Sequence, residues 1–144
     1  MKELLRLTHG SSKTPYLTFY LDEDNALIFK WKGFVTVESI IEAHKQAYDF
    51  IRKHRVNTLI EDVVDFTGPF QDANVWFITE FAPKVLKMGL NRCAVILGEN
   101  IFTQLTVNKL KENPDFKQLG ISYRVFDSMH SAKSWLNELK NTVS

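Results

Sequence analysis

The sequence predicts a single α/β domain carrying a five-stranded, mostly parallel sheet that begins with an antiparallel hairpin. Three observations predict it. Two alternating apolar runs flank a short acidic turn near the start, strand and helix patterns alternate from there to the end, and one run is apolar on both faces. The expected order is β-β-α-β-α-β-α-β-α, with right-handed crossovers joining the parallel strands. A chain of 144 residues is long enough to enclose one core. Residues 1–15 are set apart as a flexible N-terminal segment, because 8–15 are small, polar and broken by Gly10 and Pro15, with a short added strand or a loosely docked tail as the alternatives for the residues before them. Residues 16–144 form the domain.

The hairpin comes from residues 16–21 and 26–31. Leu17, Phe19 and Leu21 alternate with Tyr16, Thr18 and Tyr20, and Leu27, Phe29 and Trp31 share a face across the turn at 22–25. Thr36 is placed to cap a first helix whose apolar stripe is Val37, Ile40, Ile41, His44, Ala47, Tyr48 and Ile51. Residues 58–64 read as a strand and 65–69 as its exit loop. A second helix is expected over about residues 72–88, with a kink or break near Phe81 and Ala82 because Pro83 lacks an amide donor. The apolar run 92–97 fits a strand buried on both faces. A third helix over 101–112 stops at Asn113-Pro114, and residues 121–126 form the last strand. Asp127 or Ser128 then caps a final helix buried through Ala132, Trp135, Leu136 and Leu139.

Composition excludes several function classes. Eighteen basic against 17 acidic residues leave no broad cationic footprint for nucleic acid. No apolar stretch is long enough to span a bilayer, and the start has no secretory pattern, so a cytoplasmic location is the default expectation. The lone Cys93 rules out an internal disulfide and a Cys-based zinc site, and its apolar neighbours mark it as a small buried hydrophobe. No catalytic, metal or cofactor constellation stands out, so the expectation is a protein that is not an enzyme. Glu61 and Asp62 point to opposite faces of their strand and do not converge with Asp65. His44, on the apolar stripe, reads as a core histidine with a satisfied ring nitrogen.

Three patterns carry a family resemblance. Residues 59–68, Leu-Ile-Glu-Asp-Val-Val-Asp-Phe-Thr-Gly, end a strand in an aspartate, an aromatic and a glycine. Residues 92–98 form an Ala-Val-rich strand. Residues 123–127 precede Ala132 and Trp135-Leu136 in an Ala-x-x-Trp-Leu ending. In order and spacing, over residues 16–139, the chain resembles the SpoIIAA-like family, related to STAS and CRAL-TRIO domains. The resemblance implies a non-enzymatic protein-binding or regulatory domain, with a CRAL-TRIO-like carrier or sensor of a lipid or small apolar molecule as the alternative. It also implies, in STAS switch proteins, a phosphoacceptor at the start of the helix after the third strand. The matching residues here, Gln71-Asp72-Ala73-Asn74, have no hydroxyl, and the nearest is Thr67.

The candidate ligand- or partner-binding residues are Asp65, Phe66, Thr67, Gly68, Phe70 and Trp76. They lie where the carboxyl end of a strand meets a helix, the edge at which open α/β sheets take ligands. Asp65 and Thr67 equally fit the role of turn residues satisfying backbone donors. Phe70 and Trp76 are read as an exposed aromatic patch suited to a protein partner, to self-association as a homodimer, or to an apolar ligand. The alternative reading of Trp76 is packing at the edge of the core.

Overall fold

In the computed structural model, which describes residues 1–142 and side chains as far as residue 139, the strands form one mixed sheet in sequence order. They are β1 (Lys2–Thr8), β2 (Pro15–Leu21), β3 (Leu27–Gly33), β4 (Thr58–Phe66), β5 (Arg92–Ile96) and β6 (Ser122–Phe126). β1, β2 and β3 pair antiparallel, and β3 to β6 pair parallel. The expected α/β class and opening hairpin hold, but the strand count is six rather than five.

The additional strand is β1, inside the segment read from sequence as flexible. It pairs along β2 from Lys2 with Leu21 to Thr8 with Pro15. The register shifts between Glu3 and Leu5, so Leu4 and Leu5 fall side by side and the period-two signal disappears. An edge strand of this kind is held by its backbone ladder more than by a buried face, and none of its side chains is fully buried.

Helix placement follows from topology. Every crossover between parallel strands steps to the next strand in the same direction, so right-handed connections stack their helices on one face. That face carries α1 (Val37–His54), α2 (residues 71–87), α3 (Ile101–Glu112) and α4 (Pro114–Gln118). Its core joins Phe19, Phe29, Leu59 and Val95 of the sheet to Ile40, Ala47, Phe77, Val85, Val107 and Phe116 of the helices. Among the described residues only α5 (Met129–Thr142), after the last strand, crosses to the other face, where Ala132 packs on Ile28, Ile60 and Ile96. Each fully buried ring or branched side chain contributes roughly 1.5–3 kcal/mol.

Local chemistry sets the ends. Thr36 caps α1 by accepting from the Ser39 amide, and Arg55 closes it in a left-handed conformation. Asn113 both stops α3 and starts α4: its side chain accepts from the amides of Asp115 and Phe116, with Pro114 at the first position, where no amide is needed. The sequence reading took Asn113-Pro114 for a stop alone. In α2 the expected kink is a change of helix type. Residues Gln71–Ala73 form a 3-10 turn, Asn74–Trp76 an α-helical turn, Phe77–Phe81 a π-helical turn, and Ala82–Lys87 an α-helix again. The Ala82 amide reaches five residues back to the Phe77 carbonyl. The widened turn ahead of Pro83 accommodates a ring that would otherwise press on the carbonyl four residues earlier.

Candidate functional site

The loop expected after β4 is divided by the structure. β4 continues through Asp65 and Phe66, which pair with Lys32 and Gly33, so these two belong to the strand and not to its exit. Phe66 is buried, edge-on to Trp31 and to Phe70. Asp65 and Thr67 are exposed, and the Thr67 amide donates to the Gly33 carbonyl at 3.2 Å. Gly68 is buried under Phe34, and its carbonyl accepts from the Thr103 hydroxyl at 3.3 Å. Phe70 and Trp76 are half-buried, so the exposed aromatic patch read from the sequence is not formed by them. Trp76 packs on Phe77 and Phe81 instead. The segment does emerge at the carboxyl rim of the sheet. It turns Phe66 and Phe70 inward, toward a cavity under the helical layer.

One wall of that cavity is built by a single β-α-β unit. Along β4, Leu59, Glu61 and Val63 face the helices, whereas Ile60 faces α5. Glu61 is therefore a carboxylate at an inward position of a central strand. Above it, the apolar stripe of α1 carries His44, 1% exposed. His44 Nδ1 lies 2.7 Å from the Ile40 carbonyl and Nε2 lies 2.8 Å from Glu61 Oε2. From β3, Trp31 Nε1 donates to Glu61 Oε1 at 2.8 Å. A carbonyl only accepts, so Nδ1 carries a proton, and the contact from Nε2 to the carboxyl holds one more. Every nitrogen and oxygen of this histidine–carboxyl–indole cluster is thus engaged within it or with backbone. Rings enclose the imidazole: Phe29, Trp31, Phe77 and Phe81 have centroids 5.0, 5.6, 4.8 and 4.9 Å away. Asp62, on the opposite face, bonds Lys30 and the Val64 amide, so the carboxylates do not converge.

The cavity has a volume of about 70 Å³ and its lining is almost wholly apolar. Phe70, Phe77 and Phe81 close it from α2 and its approach, Val107 and Leu110 from α3, and Phe116 from α4. On the floor, Cys93 of β5 and Tyr123 of β6 stand side by side in register. Burial pushes the Cys93 thiol well up from its ordinary pKa, and Glu61 adds to this. Burial, then Cys93, then Glu61 push the Tyr123 hydroxyl well up too. Both groups are therefore held in their neutral forms.

The fold has a solved counterpart. It resembles the crystal structure of an uncharacterized protein of the DUF3478 family from Shewanella loihica PV-4, described as having a SpoIIAA-like fold, with a TM-score of 0.52 and 17% identity over 88% of this chain and 99% of that one. The fold is SpoIIAA-like. No protein-family model matches the sequence, and no curated protein matches it significantly. Among the described residues of this SpoIIAA-like chain, no helix is long and apolar enough to cross a membrane.

Of the six residues singled out from sequence, the SpoIIAA-like sheet brings Phe66 and Phe70 to the cavity and leaves Asp65 and Thr67 at the surface. The cluster of Trp31, His44 and Glu61 was not assembled from the sequence. Its signal was present in separate pieces: an inward-facing glutamate by strand parity, and a histidine on the apolar stripe of the helix just before that strand.

Proposed function

We propose that the protein is a non-enzymatic binding module that takes a small apolar molecule into the cavity between its sheet and its helical layer. The observation that carries this reading is the cavity itself, walled by phenylalanines and crossed by one satisfied polar cluster. Ligand sites are mostly apolar concavities with a few placed polar groups. A volume of about 70 Å³ is about half the ~150 Å³ of an engineered apolar cavity that binds benzene or xenon. It is far below the roughly 300–1,000 Å³ that hold drug-sized ligands. That comparison favours a ligand of a few heavy atoms over a lipid chain. His44 and Glu61 are engaged with each other and with Ile40 and Trp31, which supports binding rather than turnover. A sensor role fits α2, whose Phe77 and Phe81 line the cavity while its Val75 is exposed at the rim.

Xenon tests this reading. Under xenon pressure, the methyl resonances of Val95 and Val107 are expected to shift in a saturable way. Ala82→Leu, which places three more carbons into the lining, is expected to abolish the shifts while the protein stays folded. Absence of saturable shifts in the unmodified protein would remove the proposal.

A second reading, a protein-binding or homodimeric regulatory surface, is favoured by the rim. Phe34, Val75, Phe102 and Leu105 are each more than half exposed there, on segments that follow the carboxyl ends of parallel strands. Sedimentation of the protein beside Phe102→Lys/Leu105→Lys distinguishes it. A dimer that dissociates in the variant supports the surface, and a monomer at high concentration argues against self-association.

A further inference from the structure

We infer that the ligand of this cavity is uncharged and carries an acceptor oxygen that binds the Tyr123 hydroxyl. The inference rests on the binding reading above and narrows its chemistry.

Three observations carry it. First, the polar groups facing the cavity are almost all occupied. Glu61 receives Trp31 on one oxygen and pairs with His44 on the other, and the second His44 nitrogen bonds the Ile40 carbonyl. Second, Tyr123 differs. Its ring is fixed edge-to-face on Phe116 at 5.0 Å, and among the described residues its hydroxyl has no hydrogen-bond partner. Its oxygen keeps accessible surface, since the buried side-chain polar atom without a partner among the described residues is Asn74 Oδ1, so the phenol O–H beside the cavity is a donor open to an incoming acceptor. Third, the surroundings select against charge. The same apolar burial that opposes ionisation of Cys93 and Tyr123 would oppose a carboxylate or phosphate placed beside them. A cationic ligand finds no better welcome, because the His44–Glu61 pair, counted by its hydrogen bonds, is neutral as a unit and leaves no acceptor unpaired. What remains is a small neutral molecule with an apolar body and one oxygen, such as a ketone, aldehyde, ester or alcohol.

Three probes of similar size separate the possibilities: 2-butanone, propanoate, and n-butane supplied as a dissolved gas. Binding is followed by NMR through the indole N–H of Trp31 and the methyls of Val95. The unmodified protein should bind 2-butanone and n-butane, and bind propanoate at least about tenfold more weakly than the ketone at pH 7. Tyr123→Phe, which removes only an unpartnered hydroxyl, should weaken 2-butanone by about three- to tenfold, the worth of one neutral hydrogen bond, and leave n-butane unchanged. The inference is overturned if propanoate binds as well as the ketone, a comparison that needs no variant. It is also overturned if n-butane binds and Tyr123→Phe leaves the ketone affinity unaltered, in which case the apolar-cavity reading survives alone. If neither neutral probe binds, both fall together.

Discussion

Glu61→Leu isolates the energetics of the buried cluster. Leucine keeps most of the side-chain volume but strips the acceptor from Trp31 Nε1 and the partner from His44 Nε2, both now 2.8 Å from a carboxyl oxygen. Breaking one side of a buried pair typically costs about 3–5 kcal/mol, and an unsatisfied indole N–H adds about 1–3. Two features reduce the sum: the Glu61 side chain is 17% exposed, and a cavity of about 70 Å³ beside it can admit water to the orphaned groups. The expected loss is about 3 kcal/mol, and His44→Leu alone should lose a similar amount. In the double variant only the Trp31 indole N–H is left without its partner, so it should lose about 3–4 kcal/mol in total, a coupling of roughly 2–3. Urea unfolding measures all four proteins. With an m-value of about 2 kcal/mol/M, each single variant shifts the midpoint by about 1.5 M at constant m. Strict additivity, or singles that each cost under about 1 kcal/mol, would refute the claim that the two side chains act as one buried unit.

Two further outcomes follow from close approach and from burial. An added Cβ at Gly98 would sit 2.6 Å from the Val64 carbonyl oxygen and 3.1 Å from its Cα, so backbone must move. Gly98→Ala should cost about 2 kcal/mol, read as a Tm lowered by roughly 6–8 °C; an unchanged Tm would contradict the packing of that turn on β4. Stability should also decline in alkali. Unfolded Cys and Tyr ionise near about pH 8.5 and 10, whereas burial holds folded Cys93 and Tyr123 well above their ordinary values. The stability these groups contribute is complete below about pH 8.5 and is lost as pH rises through their folded pKa values. Cys93→Ala should move the onset to about pH 10, as measured by urea midpoints from pH 7 to 10.5, and an unshifted onset would show that the thiol is not the cause.

Much of the fold was legible because parity and helical period are local signals. Leu27, Phe29 and Trp31 alternate as a strand with one buried face requires, and the structure turns all three to the helical layer. The stripe from Ile40 to Ile51 marked α1 for the same reason. Legibility failed where the decisive interaction is not a side-chain pattern. β1 is held by backbone pairing across a register shift, which leaves no alternation to read. The end of β4 was set two residues early, because Asp65 and Phe66 resemble turn residues; their strand conformation is imposed by pairing with Lys32 and Gly33, a partner 33 residues away in the chain. The kink at Pro83 was legible as a disturbance, but its form, a π turn that aims Phe77 and Phe81 at His44, depends on what lies beneath the helix.

The site was harder to read than the fold for a reason of geometry. Trp31, His44 and Glu61 belong to three consecutive elements, β3, α1 and β4, with Glu61 17 residues beyond His44 and 30 beyond Trp31. In a right-handed β-α-β unit the helix lies over the two strands it joins. An inward residue near the middle of either strand therefore meets the buried stripe of that helix. A histidine on the stripe and a carboxylate at inward parity on the next strand are each unremarkable when weighed alone, as a core histidine and as one of several acids. Taken with the handedness rule they predict a contact, because burying either without the other would leave a polar group unmatched in an apolar layer. The rule applies to every sheet whose parallel strands follow sequence order: all crossover helices then share one face, and inward polar residues have no other place to find partners.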